Sequence, residues 1–358
     1  MVKKGSVKYG PMGLFNEESF GNITSSDRWR KALAHAANHS LTKDTWSTYK
    51  TALNNLLKCA HETETDMSFP LNDQKVLVFV GWMLDRKLSP TTMSSYLAGI
   101  RQAHLSAGVF ISSLRSPMVN QILQGAANLA AIQRREGNKP SRLPVTPTIM
   151  RLIKSELKTS SLKKRDKLLI WSVCSLAFMG AFRIHELLSK TEGTFDPSFT
   201  LLRKDIQLKE LGNKNKTRVL TVLIKSEKKD RIGKATIVDV YENGGDLCPV
   251  KAFEKWVRSS DFEPAGPAFR KSCGRPFTGR ELNKTLRQLL EKHLDYSKGS
   301  ISSHSFRTGM ASLMGEKGYT EEQIMAVGRW SSQAYQTYLK LPRTKRMEMA
   351  KHIGGMDF

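Results

Sequence analysis

Apolar side chains recur at helical spacing through Trp46, Tyr49, Leu53, Leu56 and Leu57, and Thr42 stands where an N-cap belongs. The spacing predicts a helix with one buried stripe. A second helix is predicted from Asp73 to Arg86, with Val76, Val78, Phe79, Trp82 and Met83 mostly inward. Ser89-Pro90 opens a third, because serine caps and proline suits the first turn. It carries Met93, Tyr96, Leu97, Ile100 and His104 along one side, and a fourth helix covers Pro117 to Gln133. Residues 1–40 read as an irregular lead-in with a weak helix around Trp29 to Ala37. Residues 41–135 are therefore expected to form a small helical domain.

The pattern then changes. Residues 136–146, with Arg134 and Arg135 just ahead and Lys139, Pro140, Arg142 and Pro144 inside, read as an exposed basic linker. Beyond it a helix is predicted at 147–157 and an apolar one at 165–180. Three strand-like runs follow: Thr200 to Gln207, Thr217 to Lys225 and Ala235 to Val240. The last two flank the polar stretch Ser226 to Gly233, which reads as a hairpin tip. From Val250 the pattern is helical again. The expected class is mainly α with a small antiparallel β-sheet, a helical domain preceding a mixed α/β domain over 147–358.

Composition narrows the partner. The 358 residues include 57 Lys and Arg against 33 acidic residues, a net charge of +24. Such a surplus points to a polyanion, above all nucleic acid, although ribosomal, histone-like and membrane-surface proteins share it. Cys59, Cys174, Cys248 and Cys273 lie far apart with no CxxC pair. The usual zinc spacing is absent and no disulfide framework is expected, which suits a reducing compartment. No apolar run is long enough to span a bilayer, and the first residues lack the apolar core of a signal peptide. Cytosol or nucleus is the default.

Three distant segments hold the candidate chemistry. Gly180-Ala181-Phe182-Arg183-Ile184-His185-Glu186 follows an apolar stretch, so Arg183 emerges beside a buried helix with Glu186 one turn away. Alone, this reads as a structural ion pair. In Ser303-His304-Ser305-Phe306-Arg307, His304 and Arg307 are spaced i, i+3, and Phe306 and Ala311 point to the core. Alone, an HxxR is common polarity on a surface. In Gly328-Arg329-Trp330-Ser331-Ser332-Gln333-Ala334-Tyr335-Gln336-Thr337-Tyr338, Tyr338 stands eight residues beyond Trp330 and nine beyond Arg329. A tyrosine at helical spacing is normally a core residue with its hydroxyl at the rim.

Taken in order, these segments resemble the catalytic domain of the tyrosine recombinase (phage integrase) family from about Thr42 to Lys340. The form Gly-Arg-Trp-Ser-Ser-x-Ala-Tyr-x-x-Tyr is most similar to recombinases of eukaryotic DIRS, Ngaro and Crypton mobile elements, as is Leu88-Ser89-Pro90-Thr91-Thr92. The resemblance implies a two-domain clamp on duplex DNA, a helical core-binding domain and a mixed α/β catalytic domain closed by the linker. It implies Arg183, Lys228, His304, Arg307, Trp330 and Tyr338 as catalytic residues, with Glu186 in support. Arg183 and Arg307 would hold the non-bridging phosphate oxygens, a task that suits planar forks of donors. His304 would assist at the phosphate or take the tyrosine proton, since tyrosine with its pKa of about 10 needs help to attack. Trp330 would donate its indole N–H to the phosphate. Lys228 would protonate the departing 5′ oxygen, with Lys225 and Lys229 able to serve instead. Tyr335, one turn earlier, is the rival of Tyr338.

No metal or other cofactor is implied. The expected partners are double-stranded DNA and further copies of the chain, a homotetramer on paired sites, with no membrane. Nuclear localisation goes with the eukaryotic-element resemblance, and cytoplasmic localisation otherwise. Candidate DNA contacts are Lys43, Ser47 and Lys50 on the first helix, Thr91, Thr92, Ser95 and Arg101 on the third, and Arg134, Arg135, Lys139 and Arg142 at the linker. Leu341 to Ile353 reads as a basic amphipathic helix for a neighbouring protomer or for its own domain. A type IB topoisomerase and an inactive DNA-binding descendant are the alternative functions.

Overall fold

The computed structural model describes residues 15, 18–20, 25–109, 114, 116–136, 143–193, 195–212, 217–225, 235–260, 263–293 and 301–330. The chain divides into two compact units, residues 1–139 and 140–358. In the first unit the Thr42 hydroxyl accepts the Thr45 N–H and opens α2 (Lys43–Thr63), while α1 (Asp27–Asn38) precedes it as a full three-turn helix. Trp46, Ala52, Leu56 and Cys59 of α2 are buried. Leu57, expected inward, is 67% exposed. It lies about 100° around the helix from Leu56, off the stripe that α4 covers.

Asn72 caps α3 (Asp73–Asp85), and Ser89 caps α4 (Pro90–Ser106) with Pro90 in the first turn. Val78 is only half-buried, whereas Val76, Phe79, Val80 and Met83 are in the core. Gly99 allows α4 to lie close against α2, since an added Cβ would meet the Tyr49 Cα at 3.0 Å. α5 (Pro117–Glu136) completes the described helices of this unit.

His104 is fully buried and joins the start of α3 to α4. Its Nε2 accepts the Leu71 N–H at 3.1 Å, so its Nδ1–H donates to the Ile100 carbonyl at 2.8 Å. The ring stacks on Phe69 with centroids 3.8 Å apart. That arrangement requires the neutral imidazole, and burial lowers its pKa below the usual 6.5. Protonation then favours the unfolded chain, so this stability is fully present above the unfolded pKa and is lost as pH falls through the folded one. We expect melting of this unit to weaken below neutrality by at most about 1.4 kcal/mol per pH unit from this group. Melts at descending pH should show a shallower decline in His104→Gln. An equal slope in both would remove His104 as the cause.

The second unit is organised on α7 (Lys164–Met179), which is buried at every position from Leu169 to Phe178. α6 (Pro147–Thr159), capped by Thr146, packs beside it. The sheet is antiparallel in the order β1 (Ile206–Leu211), β2 (Thr217–Ile224), β3 (Thr236–Tyr241), with Val222 opposite Ile206 and Val238. The first strand thus begins later than expected. Residues Arg203–Asp205 form a 3-10 turn instead, because the Asp205 carboxylate accepts the Leu202 N–H at 2.8 Å and curls the chain. After α8 (Ile184–Leu187) and the sheet come α9 (Pro249–Arg258), α10 (Gly279–Leu290), α11 (His304–Glu316) and α12 (Glu321–Gly328). Arg218 ties β2 to α9 through Glu254 at 2.8 Å and also pairs Glu242 at 2.6 Å. No helix among the described residues is long and apolar enough to cross a membrane.

Candidate active site

The site grows from the end of α7. Gly180 ends that helix, and Ala181 takes a left-handed conformation at φ 45°, which turns the chain sharply. Arg183 then stands at the N-cap of α8, and Glu186 in its first turn folds back. The Glu186 carboxylate accepts the Arg183 backbone N–H at 2.9 Å and its Nη1 at 2.8 Å. The ion pair expected from the sequence is present, and the Glu186 side chain is wholly buried.

A second cation completes it. Arg329 Nη2 reaches Glu186 Oε2, the oxygen that also accepts the Arg183 backbone N–H, at 2.7 Å, and Nη1 donates to the Gly180 carbonyl at 3.1 Å. Its guanidinium lies 5.0 Å from the Phe182 ring centroid. One buried carboxylate therefore sits between two guanidinium groups, which offsets a desolvation cost that an unpaired acid would bear alone. Arg329 adopts φ 54° just past α12, a left-handed conformation that costs a non-glycine residue about 1–2 kcal/mol. Strain of this kind persists where surrounding contacts over-determine it.

Arg307 enters from α11. Its Nη1 donates to the Ala181 carbonyl at 2.7 Å and its Nη2 to the Gly328 carbonyl. The Trp330 ring covers it, with 4.5 Å from the guanidinium carbon to the ring centroid. Arg307 is only 1% exposed. His304 is exposed at the first position of α11, while Phe306 and Ala311 are buried as expected. Gly328 leaves room for Trp330, whose ring occupies the space an added Cβ would take.

The structure thus gathers Arg183, Glu186, Arg307 and Trp330 around two short turns, 180–183 and 328–330. Trp330 meets the Arg307 guanidinium with its ring face. Arg329 was not singled out by sequence reasoning as part of the site. The available signal was a buried acid needing more than one partner, together with an arginine directly after Gly328 at a helix end.

Lys228, Lys229, Tyr335 and Tyr338 lie outside the described residues, as do the hairpin tip and the segment from Leu341 to Ile353. Lys225 is committed elsewhere, its Nζ 2.6 Å from the Asp205 carboxylate and 3.1 Å from the Pro197 carbonyl.

Among the candidate DNA contacts, Ser47, Lys50, Thr91 and Arg101 are exposed and Thr92 and Ser95 half-buried. The Ser95 hydroxyl donates to the Thr91 carbonyl at 2.9 Å, and the Thr92 N–H donates to Ser89 at 3.1 Å. Lys139, Arg142 and the side chains of Lys43, Arg134 and Arg135 lie outside the described residues. No group of His, Cys, Asp and Glu among the described residues could hold a metal ion.

No protein-family model and no curated protein sequence matches the chain. Solved structures do. The XerH site-specific recombinase bound to a palindromic difH substrate, a post-cleavage complex, aligns over 93% of this chain and 86% of its own, with TM-score 0.59 and 13% identity. A lambda integrase dimer bound to a COC′ core site aligns over 88% and 75%, with TM-score 0.54 and 11% identity. The Tn1549 transposon integrase in complex with circular intermediate DNA aligns over 92% and 94%, with TM-score 0.51 and 13% identity. Together with the helical first unit and the three-stranded antiparallel sheet set among helices, these likenesses give the chain the fold of the tyrosine recombinases.

Proposed function

We propose that this chain is a site-specific DNA recombinase that cuts and rejoins strands through a 3′-phosphotyrosine at Tyr338, in the service of a mobile element. The observation that carries the reading is the meeting of Arg307 with the turn that presents Arg183, 126 residues away at Ala181. Two arginines tied to one turn would suit the two non-bridging oxygens of one phosphodiester. The XerH, Tn1549 and lambda proteins of the same fold are described in complexes with DNA, and the net charge of +24 suits the same partner.

In this mechanism the Tyr338 oxygen attacks phosphorus while His304 accepts its proton. The bond from phosphorus to the 5′ oxygen breaks, and Lys228 protonates that oxygen. Phosphoryl transfer of this kind draws on positioning and charge stabilisation. Arg183, oriented by Glu186, and Arg307 supply the charge. The phosphotyrosine conserves the bond energy, so a second 5′ hydroxyl can reverse the step without ATP. Duplex DNA is gripped by the 41–135 domain and the 147–358 domain joined by the basic linker, and four copies pair two sites in the nucleus.

The burial of Arg307 under Trp330 favours a second reading, a descendant that binds DNA without cutting it. Covalent trapping on a nicked suicide substrate separates the two. We expect a protein–DNA adduct on a denaturing gel that survives Tyr335→Phe and disappears with Tyr338→Phe. Tight binding with no adduct would support the second reading.

A further inference from the structure

A cavity of about 590 Å³ opens between α6, α7, α9 and the turn before α9. Lys154, Lys158, Lys164, Lys167, Lys251 and Lys255 surround it, and Leu157, Leu168 and Trp171 form an apolar floor. Asp246 is the single acid in its lining, and it pairs with Arg151 at 3.1 Å. Acids on the same elements are turned elsewhere. Asp166 binds Ser272 at 2.7 and 2.8 Å, Glu156 binds Lys292 and His293 at 3.2 and 3.3 Å, and Glu254 binds Arg218 at 2.8 Å. The ammonium groups of Lys158, Lys164 and Lys255 have no hydrogen-bond or carboxylate partner among the described residues.

Crowding six like charges over an apolar floor opposes folding unless something else uses them. The strain shows at Lys154, whose pKa is lowered first by burial, against the pull of Asp246 and with repulsion from Lys158, Lys255 and Arg151. Its ammonium donates to the Asp246 carbonyl and stands 5.1 Å from the Trp171 ring centroid.

We propose that this cavity binds a compact polyphosphate carrying an apolar or planar body, the chemistry of nucleoside di- and triphosphates. Its volume falls within the range of small-molecule sites, roughly 300–1,000 Å³. The lysines supply mobile point charges for clustered phosphates, and the floor accepts the body. A duplex backbone offers phosphates along a line and nothing apolar for that floor. Position also separates this site from the candidate active site. The lining residues of α7 lie in its first half, and Arg183 follows its other end. From Trp171 to Gly180 the helix rises ~13 Å.

Calorimetric titration of the full chain with ATP, inorganic tripolyphosphate and adenosine tests the proposal. ATP is expected to bind once per chain, at least about tenfold more tightly than tripolyphosphate, with adenosine weaker still. The double variant Lys158→Glu with Lys255→Glu, both exposed, should weaken ATP by about tenfold or more and leave affinity for a short duplex within about twofold. No ATP binding, or equal binding of ATP and tripolyphosphate, would overturn it. So would a parallel loss of duplex affinity in the double variant, which would make the lysines part of a DNA face.

Discussion

Glu186→Ala should be among the most damaging single substitutions in the 140–358 unit, costing roughly 3–5 kcal/mol. The carboxylate is wholly buried and holds Arg183 at 2.8 Å, the Arg183 backbone N–H at 2.9 Å and Arg329 at 2.7 Å. Removing it leaves two largely buried guanidinium groups without their shared counter-charge, beside the buried Arg307. Both the ion pairs and the turn that aims Arg183 are lost together. We expect a fall in melting temperature, and a rate of adduct formation reduced at least about a hundredfold at temperatures where the variant is still folded, a loss of about 2.7 kcal/mol in barrier stabilisation.

Two companion variants locate the cause. Glu186→Gln keeps an acceptor and loses the charge, so it should retain more of the fold than alanine while still losing activity. Arg329→Ala removes the second cation together with its bond to the Gly180 carbonyl and its contact with the Phe182 ring. It should leave Arg183 paired and lower activity less than Glu186→Ala does. Because Arg329 acts through Glu186, the two substitutions should also combine with less than additive loss. A melt of Glu186→Ala that matches the unsubstituted protein would show that the buried carboxylate does not hold this turn.

The helices were legible because their signals are local. Thr42 and Ser89 cap where the sequence places them, and Pro90 occupies the first turn it suits. The Arg183–Glu186 pair was legible for the same reason, being one helical turn apart after an apolar run. Contacts that join distant segments carry no such signal. Arg329 meets Glu186 across 143 residues, and its role depends on a left-handed turn that an arginine seldom adopts. β1 starts later than its pattern predicts because one side chain, Asp205, bonds the backbone at Leu202 and replaces strand with a 3-10 turn. Spacing alone places Leu57 inward, and the position of α4 decides otherwise. The apolar His104 face was visible as a pattern, while its neutral, doubly bonded state depends on Leu71, 33 residues away.

Gly309→Ala should be the most harmful of the small substitutions. Alanine ordinarily gains about 1 kcal/mol over glycine inside a helix. Here an added Cβ would fall closer than 3.0 Å to the Val145 nitrogen, carbon and carbonyl oxygen. Those atoms cannot retreat. Val145 is fully buried, its N–H donates to the Ser305 carbonyl at 2.9 Å, and the next residue, Thr146, caps α6. Backbone overpacking of this kind costs on the order of 1–3 kcal/mol or more, and it outweighs the helical gain. The helix that must shift also carries His304 and Arg307. Cleavage should therefore fall with stability, as the Arg307 bond to Ala181 is drawn out of register. Gly125 on α5 supplies the contrast, with nothing within 4 Å of its added Cβ. Gly125→Ala should hold or raise the melting temperature, and Gly309→Ala should lower it by several degrees, at about 2–4 °C per kcal/mol for a unit of this size. Equal, small upward shifts in both would mean that α11 does not rest on the Val145 backbone.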